Sequence, residues 1–300
     1  MPPSAPGPRA DSTRGPSGWL AAPALVIFAV FALVPLAGVV VLSLTRWDGL
    51  GPISWDGLHS WDRALTDPVT LNALWVTAKV MVFSFLVQAP VSLLLGVFTA
   101  GRQRYRAALA VLYFVPLLLS SAAVAIAYKA LLDPNFGLGP GLKIPALAQD
   151  WLGNPDLALF VVVFVIAWQF VPFHTLIYQA GVRQIPAPLF EASQLDGAGR
   201  VRQFFAITLP QLKYTAITSS TLMAVGSLTY FDLVFVLTEG GPGYSTRLLP
   251  LHMYLTGFKA NDMGAASALA VILVVVGLLL ALLLQRLGGR DRAASQQEGV

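Results

Sequence analysis

The sequence predicts an all-α membrane protein with six membrane-crossing helices. Three observations carry this: the composition, six apolar runs of sufficient length, and the absence of strand-like alternation in them. Of the 300 residues, 56% are hydrophobic and 11% charged, with a mean hydropathy of +0.70. A soluble domain carries roughly a quarter charged residues, so a globule made from this chain could not cover itself with polar surface. Lipid is the solvent that fits. Crossing a hydrocarbon core takes about 20 apolar residues, and segments 19–44, 71–100, 107–132, 157–180, 214–237 and 265–284 are long enough. None alternates as a membrane barrel strand does, and backbone groups in lipid must find partners within their own segment. Helices remain.

Residues 1–18 are rich in Pro, Gly and Ser and read as a disordered tail. The run that follows is longer than a signal-peptide core and no small-x-small site closes it, so it reads as a retained span. Between spans one and two, residues 46–68 repeat Trp-Asp at Trp47, Trp55 and Trp61. Tryptophan favours the membrane interface, which makes an interfacial lid the preferred reading, with sugar stacking by the indoles as the alternative. Residues 133–151 are Gly- and Pro-rich, as loops are. Residues 237–250 carry Gly240, Gly241, Pro242 and Gly243 as a rigid turn cluster.

The positive charges orient the spans. One side collects Arg9, Arg14, Arg102, Arg104, Arg106, Arg183, Arg200, Arg202, Lys213, Arg286, Arg290 and Arg292, twelve of the 19 Lys and Arg. The other seven are Arg46, Arg63, Lys79, Lys129, Lys143, Arg247 and Lys259. The first side is therefore expected to be cytoplasmic, with both termini inside. The net charge of +4 is accounted for by this topology and implies no nucleic-acid partner.

No catalytic set is present. There is no cysteine, which excludes thiolate chemistry and disulfides, and His59, His174 and His252 lack metal-ligand spacing. Gly-x-x-x-x-Gly-Lys-Ser/Thr, Gly-x-Ser-x-Gly and His-Glu-x-x-His are all missing. Ionisable residues inside the spans are few, His174 in span four and Asp232 near the outer end of span five, which argues against a self-powered secondary carrier. Ser84, Gln88, Ser120, Ser121, Thr218, Ser219, Ser220 and Thr221 read as helix-packing residues. Gln169, Tyr230 and Asp232 are the better cavity candidates, because a lone amide or acid in lipid needs a polar partner. Pro116 and Pro172 are placed to kink spans three and four.

The longest polar excursion is Glu191 to Pro210, EASQLDGAGRVRQFFAITLP. Pro186 and Pro188 suit a first helical turn, so a short helix is expected to run to about Leu195. Asp196-Gly197 then redirects the chain. A second short helix through Phe204, Phe205 and Ile207 leads to Pro210, which is expected to reset the chain into span five. An interfacial helix lying on the bilayer is the alternative for this stretch.

At these residues the chain resembles the permeases of ABC importers. Glu191, Ala192 and Ser193, then Asp196, Gly197 and Ala198, then Phe204, Ile207, Leu209 and Pro210 match the family's Glu-Ala-Ala signature in spacing, with Ser193 for the second alanine. Ile185, Pro186 and Leu189 match its lead-in. Asp232-Leu233 with Leu237-Thr238-Glu239-Gly240-Gly241-Pro242 resembles the carbohydrate-uptake subfamily, on the side of its maltose-transporter F-like and glycerol-phosphate permease A-like subunits. Gly264 to Ala268 also fits. The resemblance covers roughly residues 18–287 and lacks the large insertion of the enteric maltose subunit.

The resemblance implies the type I importer permease fold over residues 19–287, with a cytoplasmic coupling loop at 183–212 and a cytoplasmic tail at 288–300, in a bacterial inner membrane. It implies a heterodimer with a second permease subunit, an ATPase dimer below and an extracytoplasmic solute-binding protein outside. ATP and Mg would be used by the ATPases and no cofactor held by this chain. Glu191 to Pro210 would engage the ATPases, Gly240, Gly241 and Pro242 would shape the docking surface for the binding protein, and the solute would be sugar-like. A stand-alone carrier or channel is the alternative. The sequence does not name the solute.

Overall fold

The computed structural model describes residues 18–101 and 104–297. Apart from Gly18, the tail expected over residues 1–18 lies outside them. The described chain is almost wholly helical. Its one piece of sheet is a short antiparallel hairpin, β1 (Thr45–Arg46) with β2 (Ser54–Trp55), pairing Thr45 with Trp55 and Arg46 with Ser54.

Among the described residues, four helices are long and apolar enough to cross a membrane unbroken: α1 (Ala22–Leu42), α3 (Pro68–Thr99), α6 (Pro155–Arg183) and the first part of α12 (Met263–Gln297), apolar over Met263–Arg286. The short α2 (His59–Thr66) follows the hairpin. Local chemistry sets the starts of α3 and α6. The Asp67 carboxylate accepts from the amides of Val69 and Thr70 with Pro68 at the first helical position, and the Asn154 side chain caps Asp156 with Pro155 likewise placed. Proline there loses no bond the helix would have made.

Span three is bent rather than straight. α4 (Arg104–Leu118) and α5 (Ser121–Leu131) meet at 96° across Leu119 and Ser120. Pro116 removes a donor just before the break, and Ser120 caps α5 by accepting from the Ala123 amide. Pro172, by contrast, leaves α6 continuous.

Span five departs from the expectation of one helix over 214–237: neither of its pieces is long enough to cross alone, so of the six expected spans the described residues show four unbroken and a fifth as the bent pair. α9 (Lys213–Ser227) ends at Leu228, and after an irregular stretch α10 (Asp232–Leu237) begins. The last amides of α9 close back tightly, Leu228 to the Val225 carbonyl and Thr229 to Gly226. The hydroxyls of Ser227 and Thr229 bond the Ala224 and Gly226 carbonyls. Irregular backbone at membrane depth is tolerated where it lines a cavity, and this break does. α11 (Leu249–Tyr254) and a π-turn at Leu255–Lys259 complete the connection to α12.

α6 is the centre of the bundle, with 67% of its span buried, against 28% for α3, 11% for α12 and none of α1. Its main partner is α3, whose buried face is mostly small or polar: Thr70, Ala73, Thr77, Ser84, Gln88, Ser92, Gly96 and Thr99 are buried along it, with Val76 and Val80 among them. Small residues let membrane helices approach closely. At Gly96 a methyl group would lie 2.5 Å from Tyr178 Cβ and 3.2 Å from the Thr175 carbonyl oxygen. The packing assignment therefore holds for Ser84 and Gln88. In span five, Thr218, Ser220 and Thr221 bond back to their own helix four residues earlier.

Candidate functional site: an exposed helical pair and an aromatic cavity

The excursion between spans four and five folds as two short helices, α7 (Ala187–Leu195) and α8 (residues 200–211). The turn between them is a Schellman closure. The Gly197 amide donates to the Gln194 carbonyl, the Ala198 amide to Ser193, and Gly197 has φ +74°. A residue with a Cβ resists that angle, so Asp196-Gly197-Ala198 is what this turn requires. Ser193 is more than a small replacement for alanine. Its hydroxyl donates to the Phe190 carbonyl and accepts from Gln203 Nε2 at 3.0 Å, tying α7 to α8.

Pro210 does not reset the chain. The helix runs from residue 200 through Gln211 and breaks at Leu212, after a π-turn at Phe204–Thr208. The wider turn accommodates a ring that lacks an N–H and would otherwise meet the preceding turn's carbonyl. Leu212 is buried, close to Gly181 at the end of α6, and pins the excursion to the bundle.

Apart from that pin and the buried Thr208 the pair is open. No residue of α7 is buried, and Leu195 (90%), Val201 (73%) and Phe205 (62%) are exposed. Glu191, Ala192, Asp196 and Gly197 are exposed as well, while Ser193, Ala198, Phe204 and Ile207 are half-buried. Phe204 and Phe205 meet edge to face at 5.0 Å. Leu209 and Pro210 lie on the exposed side. A helical pair that turns large apolar side chains outward is shaped to be covered.

A second feature lies at the break in span five. A cavity of about 300 Å³ is lined by Tyr230, Asp232, His174, Phe170, Phe173 and Phe231, among others. Tyr230 is buried and tilts against Phe170 at 5.4 Å; Asp232 is exposed at the start of α10. His174 is buried on Ser219 at 3.0 Å. Gln169, expected to share this cavity, is not among its lining residues; it is buried and donates to the Leu119 carbonyl at the bend in span three, at 3.2 Å. The Gln169 carbonyl oxygen and the Ser84 hydroxyl are buried without partners among the described residues.

The Gly240–Pro242 loop stands at the opposite end of α9 and α10 from the helical pair. Gly240 is buried, Gly241 and Pro242 are half-buried, and the Gly241–Pro242 peptide is cis. The Thr246 hydroxyl donates to the Gly241 carbonyl. Glu239, Gly243 and Tyr244 carry the loop's exposed surface. Among the Trp-Asp repeats, Trp61 bonds Ser43 and Trp47 bonds the Gly51 carbonyl, while Trp55 stays exposed.

Sequence reasoning missed a buried cluster near the start of α3. His252 Nε2 lies 2.9 Å from the Thr70 hydroxyl and 3.5 Å from the Asp67 carboxylate. It also missed the Arg63–Asp262 ion pair that closes α2 onto α12 at 2.7 Å. The Asp67-Pro68 cap was readable; its partners, nearly two hundred residues away, were not. Burial pushes His252 below its ordinary value, with Asp67 opposing and Arg247 reinforcing the shift. Asp67 is held low by the Val69, Thr70 and His252 contacts against its own burial. No group of His, Asp and Glu able to hold a metal is found among the described residues.

A bundle of apolar helices with a cavity at the break in span five and an exposed helical pair on one face has the build of a membrane permease. The chain belongs to the family of binding-protein-dependent transport system inner membrane components, matched over residues 92–292. It is 31% identical to a probable ABC transporter permease, YurN, of Bacillus subtilis (strain 168), over 87% of this chain and 91% of that one. It is 29% identical to AraP, an arabinooligosaccharides transport system permease of the same organism, over 89% and 87%. It is also 29% identical to NgcF, a diacetylchitobiose uptake permease of Streptomyces coelicolor, over 91% and 83%. Among solved structures, the fold is similar to a chain of a bacterial alginate ABC transporter in complex with its pentasaccharide-bound periplasmic protein, with a TM-score of 0.79, 20% identity, and 91% of this chain and 93% of that chain covered. The chain is thus a multi-pass membrane permease component with the ABC importer permease fold.

Proposed function

We propose that this permease carries a sugar or oligosaccharide, that it works as a heterodimer with a second permease subunit, and that an ATPase dimer drives it through α7 and α8. The observation that carries the coupling role is the outward-facing apolar surface of that pair, held at a fixed angle by the Gly197 turn. ATP and Mg belong to the partner ATPases. Glu191 sits at the rim of the ATPase contact, and Leu195, Phe204, Phe205 and Ile207 supply its apolar filling. Closure of the ATPases moves α7 and α8, and Leu212 passes that movement to α6 and α9. The two conformations of the pathway are exchanged in this way.

The face bearing α7 and α8 is cytoplasmic, on the charge bias, and both termini share that side. A solute-binding protein docks on the opposite face, where Gly240, Gly241 and Pro242 shape the surface. The solute passes the cavity lined by Tyr230 and Asp232, while Gln169 holds the bend in span three. The carbohydrate assignment is supported by relatives that are named for oligosaccharide uptake over nearly their full lengths.

The test is reconstitution. The permease is co-expressed with the second permease, ATPase and binding protein, purified and placed in proteoliposomes. Saccharide uptake is expected to need ATP and the binding protein. Uptake by liposomes holding this chain alone, without ATP, would establish a stand-alone carrier instead.

A further inference from the structure

The loop that carries Gly240 to Pro242 also carries an arginine whose charge is unanswered. Arg247 is half-buried and packs against Gly240, where a methyl group would meet the Arg247 Cβ at 3.2 Å and Nε at 3.3 Å. Gly240, at φ +85°, is what lets the backbone pass this close. The guanidinium stacks over the Tyr244 ring at 4.3 Å, and Nε is sealed from solvent without a partner. Among the described residues it makes no ion pair. Glu239, the acid of the same loop, is exposed and does not reach it. Arg63, on the same side of the protein, is by contrast closed by Asp262 at 2.7 Å. The surroundings of Arg247 are fixed. Asn72 Nδ2 of α3 donates to the Tyr244 carbonyl at 3.0 Å, the Thr246 hydroxyl donates to the Gly241 carbonyl, and Leu248 and Leu249 are buried.

We infer that Arg247 is the charged anchor of the outer docking surface and receives a carboxylate of the solute-binding protein. The inference rests on the docking reading above and gives that contact its chemistry. A guanidinium presents parallel N–H groups that match the two oxygens of a carboxylate, and such charge-assisted pairs are stronger than neutral ones. An arginine already stacked on an aromatic ring loses little further freedom when it is bound. A half-buried cation with no counter-charge is unfavourable, and a docked acid removes that cost. The Tyr244 ring, partly open to solvent, shields one side of the pair and adds apolar contact beside it. The charge lies on the face opposite α7 and α8, beside the Gly240–Pro242 turn, so the acid that meets it belongs to the partner that docks there.

The experiment uses the intact transporter in proteoliposomes. ATP hydrolysis is read against the concentration of binding protein, isolated with the solute it carries. Arg247→Met keeps the stem and removes the charge. Half-maximal stimulation should then need at least about tenfold more binding protein, the scale of a lost interfacial charge pair. Hydrolysis at saturating binding protein should stay within about twofold of wild type. Arg247→Lys keeps the charge without the fork and should fall between the two. Added salt should raise the wild-type half-point more than that of Arg247→Met. Arg247→Glu should dock more weakly still, and changing one acidic residue of the binding protein to lysine should restore it. An unmoved half-point in Arg247→Met overturns the inference, as does an Arg247→Glu loss that no such lysine restores. A fall in maximal hydrolysis with an unmoved half-point assigns Arg247 to the loop's own structure or to lipid, and also overturns it. A wild-type complex that the binding protein does not stimulate defeats the docking reading itself, and the inference with it.

Discussion

Gly197 is the position at which the coupling role is most sharply exposed to test. Its φ of +74° costs an L-residue about 1–2 kcal/mol, more when the side chain is β-branched. A methyl group there would meet nothing within 4 Å, so strain, and not collision, is the cost within this chain. Gly197→Val therefore opposes the turn by about 2 kcal/mol, roughly a thirtyfold shift against the conformer that closes the two Schellman bonds. Assembly should survive, because the turn lies outside the bundle and Leu212 still pins the excursion. The assay is ATP hydrolysis by the purified complex, stimulated by the solute-loaded binding protein, with gel filtration to check assembly. Stimulated hydrolysis should fall at least tenfold in Gly197→Val and about fivefold in Gly197→Ala. Gly197→Asn adds bulk but tolerates the left-handed region, and should stay within about twofold of wild type. Wild-type stimulated hydrolysis in Gly197→Val would refute the reasoning. Equal loss in the asparagine and valine variants would refute the strain argument in favour of simple bulk at the contact.

Three further outcomes are expected. Leu195→Asp with Val201→Asp should leave the permease's own thermal unfolding unchanged but abolish co-purification of the ATPase, since both side chains are exposed. Gly96→Ala should lower stability by about 1–3 kcal/mol in thermal unfolding in detergent, because the added methyl has only backbone and a buried Tyr178 to push against. The His252 contribution has a defined sign. Its folded value is depressed below 6.5, so its stabilisation is complete above that pH and is lost as pH falls from 6.5 towards the folded value. Unfolding temperature should drop over that range in the wild type and drop less in His252→Gln.

The helical pair was legible in the residues because its physics is local. Pro186, Pro188 and the Asp196-Gly197 step determine a start and a stop within a few positions, and φ at Gly197 is where that spacing required it. Pro210 was misjudged for a related reason. Whether a proline ends a helix or is absorbed by a wider turn depends on the packing around it, here the π-turn at Phe204–Thr208 and the buried Leu212. Span five reads as one apolar run, and hydropathy has no term for a backbone break closed by its own serine and threonine hydroxyls. The Gln169 partner was equally out of reach, since the Leu119 carbonyl is free only because α4 and α5 meet at 96°.

The sequence by itself determined that this is a helical membrane protein, which stretch between two apolar runs folds as a polar pair of short helices, and which family signature it carries. Those follow from composition, run length and short fixed spacings, all of which act between near neighbours. Tertiary structure alone decided that α6 is the core, that spans three and five are broken, and that Tyr230, Asp232 and His174 come to share one cavity. Those depend on side chains far apart in the chain, and a hydrophobic run does not say which of its faces meets another helix and which meets lipid.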